Sequence, residues 1–304
     1  MKIARSILGL SALLLSIAAF AQVAERPLPE ASEKLDYRIS YRGVLTAYLW
    51  KDLADMSLYG FADTEFFNGQ SACRSALTVN TENYGFAEFS YPVRLRYDSL
   101  HACDLSAAYL VSDQDAGVED IHNFYWLDWD EGQFHGYRKR RYLPVNPRKV
   151  GARFFWEKDE HAWETDGSEP LPAFLRDYPT LDNGMDWLIF DRSVEAETDA
   201  ALDPLSLLAA LRRHDYASQP EAQIAVVHKT RLGYYRLQKI GDETLRVGGE
   251  LRELTRVRVR KEDRRPGSSG QLDVWLDKTA ARTPWLLEIQ AKIGLIRVLR
   301  QPPP

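Results

Sequence analysis

The chain has 304 residues, a formal net charge of −5 and 45% hydrophobic residues. This length and composition permit one large domain or two smaller ones with a sizeable core. The negative balance of charge argues against nucleic acid as a partner.

The first 21 residues predict a cleavable signal peptide. Lys2 and Arg5 make a basic start, residues 7–20 are mostly apolar, and residues 19–21 (A-F-A) form a small-x-small site, so we expect cleavage after Ala21. The apolar run is shorter than the roughly 20 residues that a membrane span needs, and we expect no transmembrane span after cleavage. We therefore predict a protein exported to the periplasm of a Gram-negative bacterium.

Residues 22–34 contain two prolines and predict a loose linker. From residue 35 onward apolar and polar residues alternate, which is typical of half-buried β-strands. One hairpin is predicted around a turn at 130–132 and a second around 158–160. Further strands are predicted at 44–50, 55–61, 76–80, 85–91, 93–97 and 105–111.

The two cysteines, Cys73 and Cys103, both follow the predicted cleavage site. In an oxidising compartment such a pair usually forms a disulfide, and two buried free thiols are the alternative. Neither cysteine stands in a C-x-x-C motif or in a Cys/His spacing, which argues against a catalytic or metal-binding role.

The clearest helix is predicted at 202–214. Asp203 suits the N-cap, because its carboxylate can accept hydrogen bonds from the free N–H groups of the first turn, and a proline follows at the first helical position. Leu207, Leu208 and Leu211 lie on one face of this helix. That apolar face must pack on β-sheet, since the rest of the chain is predicted to be mainly strand.

Strands resume after the helix, and about a dozen strands with one helix predict a mainly β fold. We expect a single domain at 35–300: a strongly curved antiparallel sheet, a partial or open β-barrel, with the helix packed on its concave side. Residues 301–304 are predicted to be a disordered tail. The later strands are predicted at 223–230, 234–240, 244–247, 251–261, 272–276, 285–292 and 295–299.

A sheet of this size either fills its interior with side chains or keeps a cavity for an apolar ligand, and the sequence leaves both alternatives open. The candidate cavity-lining, ligand-binding residues are Leu207, Leu208 and Leu211 of the helix and Trp275 and Trp285 of the closing strands. The two tryptophans are most simply explained as core residues.

Three stretches of the chain carry a family resemblance. They are L-D-Y-R-I-S-Y-R-G at 35–43, L-D-P-L-S-L-L-A-A-L-R at 202–212, and Q-L-D-V-W-L-D at 271–277 followed by T-P-W at 283–285 and I-G-L-I at 293–296. Together they resemble the bacterial exported family called domain of unknown function 3108. The resemblance spans most of the exported part and implies a periplasmic location and a curved β-sheet. The family has no established activity that could be carried over.

The densest polar and aromatic stretch lies at 119–141. Its carboxylates at Asp128, Asp130 and Glu131 are the candidate acid and base of a polysaccharide hydrolase. The simpler explanation is a hairpin whose acidic residues lie in its turn.

Other chemistry is disfavoured by the sequence. His122 and His135 could meet across that hairpin, but they lack a third close ligand for zinc. The basic run at 138–141 could contact a phosphate, and more often such a run is the solvated end of a strand. The chain contains no G-x-S-x-G motif and no phosphate-binding glycine loop. We therefore predict no catalytic residue, no metal and no cofactor.

The export signal, the strand count and the lack of a catalytic pattern predict a non-enzymatic carrier or binding protein for an apolar, lipid-like component of the envelope. The alternative is a structural or interaction protein of the envelope that pairs with a partner through exposed sheet edges. A polysaccharide hydrolase is the third and least favoured interpretation. The sequence predicts no particular ligand, partner or oligomeric state.

Overall fold

A computed structural model of the chain describes residues 31–61, 65–67, 69–90, 92–116, 119–142, 188–195, 198, 200–228, 231–262, 270–291 and 294–302. The predicted signal peptide, most of the predicted linker, the second predicted hairpin and the last two residues of the predicted tail lie outside these ranges. None of the helices in the described ranges is both long enough and apolar enough to cross a membrane.

The described residues form one large β-sheet with two α-helices and a short 3-10 helix. The helices are α1 (Gly85–Ser90), α2 (Pro204–Arg213) and the 3-10 helix Val44–Thr46. The strands are β1 (Glu33–Gly43), β2 (Lys51–Gly60), β3 (Glu65–Phe67), β4 (Gln70–Asn80), β5 (Arg94–Ala102), β6 (Ala108–Ala116), β7 (Glu119–Asp128), β8 (Gln133–Tyr142), β9 (Leu188–Glu195), β10 (Glu221–His228), β11 (Arg231–Val247), β12 (Glu250–Lys261), β13 (Leu272–Asp277), β14 (Pro284–Ala291) and β15 (Gly294–Arg300).

The strands lie in the order β10-β11-β12-β13-β14-β15-β1-β2-β4-β5-β6-β7-β8-β9, and β3 pairs with β4. Neighbouring strands are antiparallel, and β15 returns to β1 so that the first and last strands of the domain are partners. The register places Ile39 opposite Val298 and Gly43 opposite Gly294. The predicted fold, a large curved antiparallel sheet with a helix against it, is confirmed.

Ala201 and Leu202, the residues just before the N-cap of α2, join β6 to β10 through backbone hydrogen bonds. The Ala108 N–H at the start of β6 donates to the Ala201 carbonyl at 2.8 Å. Leu202 pairs with β10: its N–H donates to the Ala225 carbonyl at 2.9 Å, and its carbonyl accepts from the Val227 N–H at 2.7 Å. The strands from β10 to β6 therefore form a barrel whose wall is completed by this short bridge, and β7, β8 and β9 continue the sheet beyond it.

Helix α2 begins at the predicted position. Asp203 is its N-cap and accepts hydrogen bonds from the backbone N–H groups of Leu205 and Ser206. At the other end of the helix, the Arg212 guanidinium donates to both carboxylate oxygens of Glu33 in β1, at 2.5 and 2.7 Å. The helix therefore runs through the barrel towards the end at which β1 begins.

The main core lies on the inner face of the sheet, which we define as the face that contacts α2. Alternate strand residues point to it, such as Tyr37 and Ile39 in β1 and Val274 and Leu276 in β13, all of them buried. These side chains and the helix leucines form one continuous cluster. Period-two alternation along the strands thus produces a single core shared by sheet and helix.

The strand predicted at 44–50 is wrong. Tyr48 donates its N–H to the Gly43 carbonyl at 2.8 Å, and the Thr46 hydroxyl donates to the Leu49 carbonyl at 2.7 Å, so the chain closes into a turn. Ala47 and Tyr48 have left-handed φ angles of 49° and 61°, a conformation that a regular strand does not contain.

Two other predicted segments also differ. The strand predicted at 85–91 is wrong, because this segment forms α1, in which Phe86 and Phe89 lie about one turn apart. The strands predicted at 234–240 and 244–247 are a single strand, β11, with an irregularity in its register after Lys239.

Candidate functional site

The candidate helix residues lie together on the face of α2 that packs against the sheet. Leu207 is 7% exposed and Leu211 is 1% exposed, and Leu208 is partly buried against the same cluster. Their neighbours in the cluster come from strands on both sides of the barrel, so the leucines fill the interior around the helix.

Trp275 and Trp285 lie in a separate cluster on the outer face of the sheet. Trp275 alternates with Val274 and Leu276, which point inward. The far end of the β11–β12 hairpin covers this part of the outer face, and the Trp275 indole N–H donates to the Glu243 carboxylate at 2.9 Å. The structure therefore does not bring the tryptophans together with the helix leucines.

The predicted disulfide is confirmed. Cys73 in β4 is bonded to Cys103, which follows the last residue of β5. The bridge therefore fastens two neighbouring strands at the end of the barrel towards which α2 runs.

The opposite end of the barrel is lined by apolar side chains that are only partly buried. Helix α2 begins only at mid-barrel, since its N-cap Asp203 contacts Tyr97 and Ser99 within β5. The lining residues pack against the main core and are partly buried. We call them the apolar mouth; they are Leu53, Val93, Ile224, Tyr235, Leu272 and Ile289.

The loop at 43–50 joins β1 to β2 beside the apolar mouth. Tyr41, an inward-pointing residue of β1, anchors this loop: burial raises the pKa of its hydroxyl, and the Leu45 backbone N–H donates to that hydroxyl. A cluster of exposed apolar residues, unlike a single one, indicates a contact surface. The exposed side chains are Val44 (60%), Leu45 (49%), Tyr48 (69%) and Leu49 (63%).

A polar cleft of about 230 Å³ lies at the other end of the barrel, beside the C-terminus of α2. Its polar groups bond to one another: Lys278 Nζ lies 3.0 Å from Asp242 Oδ2, and the Arg282 guanidinium donates to the His214 carbonyl. Burial on its own would raise the pKa of Asp242, but hydrogen bonds from Lys278 and Thr255 bring that pKa below its usual value. This cleft therefore suits an apolar ligand less well than the apolar mouth does.

The candidate hydrolase residues lie in the turn between β7 and β8. Asp128 Oδ1 accepts from the backbone N–H groups of Asp130 and Glu131, both at 3.1 Å, so the carboxylate closes the turn. The other two carboxylates are exposed. His135 stacks on Trp126 with ring centroids 4.7 Å apart, and burial lowers its pKa.

The described residues contain no group of three or more His, Cys, Asp and Glu side chains that could hold a metal ion. The side chains of His122 and of the basic run at 138–141 lie outside the described part. One serine–histidine pair does occur: Ser75 Oγ lies 3.2 Å from His101 Nε2, and the other ring nitrogen lies 2.9 Å from the Ala102 carbonyl. The His101 side chain is 3% exposed, so the pair is closed off from a substrate in solution.

Reasoning from the sequence missed both the apolar mouth and the loop at 43–50. The mouth residues come from six segments, and only the register of the strands brings them together. The loop does carry a signal, because V-L-T-A-Y-L-W is an apolar run without a charge. Such a run also fits a buried strand, and the sequence therefore predicts a strand there.

No family model matches the chain, so its resemblance to domain of unknown function 3108 stays a prediction. No curated protein matches it either. Among solved structures, the chain is similar to a beta-barrel-like protein of domain of unknown function DUF1849 from Brucella abortus, with a TM-score of 0.45 and 8% sequence identity over 88% of this chain and 94% of that chain.

Proposed function

We propose that the protein is a non-enzymatic binding protein for an apolar, lipid-like component of the cell envelope, and that the apolar mouth is its binding site. The observation that carries this proposal is the set of partly buried apolar side chains at one end of a barrel whose other half is filled by α2. Covering apolar surface with a hydrocarbon chain yields roughly 25 cal/mol for each Å² removed from water.

The position of the helix supports this choice of site. Leu207 and Leu211 are packed in the core, so a ligand that surrounded the helix would have to displace them. At the apolar mouth no such displacement is needed, because the side chains there already keep part of their surface exposed. The proposed ligand therefore enters ahead of the N-terminus of α2.

Export to the periplasm is part of the proposal. The Cys73–Cys103 bridge supports it, because disulfides persist in oxidising compartments. The mass of the protein isolated from a periplasmic fraction tests it: we expect the mass of residues 22–304 with the disulfide formed. A mass that retains the first residues would contradict cleavage after Ala21.

Fluorescence titration with a dansyl-labelled undecanoic acid tests the binding site. We expect saturable binding with a blue-shifted emission, and we expect Ile224→Asn to weaken it about tenfold, because an amide in the mouth loses hydration when the chain covers it. The matched control is Leu251→Asn, an exposed apolar residue of the β11–β12 hairpin at the other end of the barrel. Absence of saturable binding, or equal affinities of the wild type and Ile224→Asn, would overturn the proposal.

A further inference from the structure

The loop at 43–50 holds its apolar side chains in water by a network of its own hydrogen bonds. Thr46 is buried, and its hydroxyl bonds both to the Gly43 backbone and to the Leu49 carbonyl. Ala47 and Tyr48 have left-handed conformations, which are unfavourable for residues other than glycine and persist only where the surrounding contacts hold them. The loop therefore has a defined conformation in which it projects from the sheet.

Cationic groups stand directly behind this projection. Trp50, at the end of the loop, lies under two guanidinium groups: the Arg42 carbon is 4.9 Å and the Arg297 carbon 4.2 Å from its ring centroid. Lys51 is the next residue and is exposed. Arg297 also bonds to Glu288. Exposed aliphatic residues followed by an amphipathic aromatic ring and by cations make the pattern of a membrane-interface segment.

A second apolar projection lies at the same end of the barrel. Helix α1 stands in the connection from β4 to β5, and its Phe86 and Phe89 are 55% and 74% exposed. The connection is fastened to β2 beside the loop, since the Tyr84 hydroxyl donates to Asp55 at 2.5 Å and the Asn83 amide donates to the same carboxylate.

We propose that this end of the barrel docks on the surface of a phospholipid bilayer that contains anionic headgroups. The loop at 43–50 inserts its apolar side chains below the headgroups, and Arg42 and Lys51 meet the phosphates. A bilayer fits these observations better than a protein partner does, because the apolar side chains project outward and a fluid bilayer accepts projections without a complementary groove. The charge of the neighbouring cations complements anionic lipid.

This inference goes beyond the proposed function, since docking depends on the loop and ligand binding depends on the apolar mouth. The two sites are nevertheless adjacent. Docking would place the mouth at the lipid surface from which a hydrocarbon chain could enter it.

Co-sedimentation of the exported chain with lipid vesicles tests the inference. The vesicles consist of phosphatidylcholine, either alone or with about a quarter of phosphatidylglycerol. We expect binding to the anionic vesicles, weakened about tenfold or more in the double variant Leu45→Ser/Leu49→Ser. Arg42→Gln should reduce the preference for anionic vesicles and its sensitivity to salt.

Three controls keep the test decisive. Leu251→Ser removes an equally exposed apolar residue at the other end of the barrel and should bind vesicles as the wild type does. Phe86→Ser/Phe89→Ser tests the same surface on a separate element, in case the loop variant fails to fold. The loop variants should keep their affinity for dansyl-undecanoic acid, so loss of docking is distinguishable from loss of the proposed ligand site.

Three outcomes would overturn the inference. They are no binding to either kind of vesicle, undiminished binding of both double variants, and an equal loss of binding in Leu251→Ser. A protein that is captured by the wild type in the absence of vesicles, and lost with the loop variant, would assign the surface to a protein partner instead.

Discussion

The carboxylate of Asp203 accepts a hydrogen bond from the Ser99 hydroxyl at 2.5 Å, which links the N-terminus of α2 to β5. The same carboxylate caps the helix through the Leu205 N–H at 2.8 Å and also accepts the Ser206 hydroxyl. Its side chain is fully buried, and it follows directly after the bridge that completes the barrel wall. One buried carboxylate thus sets the position of the helix relative to the sheet.

Replacing this carboxylate should destabilise the whole domain. Asp203→Ala removes the N-cap, worth about 1 kcal/mol, and leaves the buried Ser99 hydroxyl without its acceptor, whereas the Ser206 hydroxyl can still donate to the backbone carbonyl of residue 203. We expect a total loss of about 3 kcal/mol. Urea unfolding, monitored by circular dichroism, measures this loss in the free energy of unfolding. Asp130→Ala, at an exposed turn position, is the control and should change the free energy of unfolding by less than about 0.5 kcal/mol. A loss for Asp203→Ala as small as that of the control would show that the network does not hold the helix.

The disulfide should stabilise the domain through the loop that it closes. Cys73 and Cys103 are separated by 30 residues, and the chain-entropy model gives about 3–4 kcal/mol for a loop of that size. We expect the double variant Cys73→Ser/Cys103→Ser to unfold at lower urea, and dithiothreitol to lower the midpoint of the wild type but not that of the variant. If dithiothreitol lowers the urea midpoint of both proteins equally, the disulfide is not the cause of the lower midpoint.

Local signals were sufficient to predict the helix and the class of the sheet. The helix could be placed because Asp203 and the proline after it act within one turn, and this capping does not depend on the rest of the fold. The strand character of β1 and β12 follows from period-two alternation, which the burial of Tyr37 and Val257 reflects. The disulfide followed from having two cysteines in a chain that is predicted to be exported.

The candidate site could not be predicted because its determinants are distant in sequence. Four consecutive residues of β13, from Asp273 to Leu276, are buried. Val274 and Leu276 belong to the main core, Trp275 packs in the outer cluster with the end of the β11–β12 hairpin, and Asp273 bonds to the guanidinium groups of Arg256 and Arg258. Because both residues are apolar, the alternation of apolar and polar residues does not predict whether Val274 or Trp275 points inward. Similarly, the residue types at 44–50 favour a strand, and only hydrogen bonds from Thr46 and to Tyr41 make this segment a projecting loop.

Stability should fall in acid partly through Asp273. Burial on its own would raise the pKa of this carboxyl, but hydrogen bonds from Arg258 and Arg256 bring that pKa below its usual value of 3.8. A carboxyl whose pKa is lower in the folded state contributes stability above pH 3.8, and this stability is lost as the pH falls through the folded-state pKa.

The variant Asp273→Asn separates this contribution from the rest. We expect it to lower the free energy of unfolding by about 2 kcal/mol at pH 7, because both charge-assisted hydrogen bonds are weakened. We also expect it to lose less stability than the wild type between pH 5 and pH 3, since one carboxylate that must be protonated is gone. Urea unfolding at each pH measures both effects, with Asp130→Asn as an exposed control. Identical pH dependence of Asp273→Asn and the wild type would contradict the assignment.

Gly294 allows β15 to approach the end of β1, and this approach positions the loop at 43–50. A Cβ atom on Gly294 would lie 2.4 Å from the Arg42 carbonyl oxygen and 2.7 Å from a ring carbon of Tyr41, so alanine cannot enter without moving the strand or the ring. We expect Gly294→Ala to cost about 1–3 kcal/mol of stability. Movement of the Tyr41 ring would also break the hydrogen bond from the Leu45 N–H, and amide exchange at Leu45 should become faster.

Gly85→Ala is the matched control, because a Cβ there meets no atom within 4 Å. Normal stability of Gly294→Ala together with unchanged exchange at Leu45 would mean that the close approach does not anchor the loop, and binding of this variant to anionic vesicles should then equal that of the wild type.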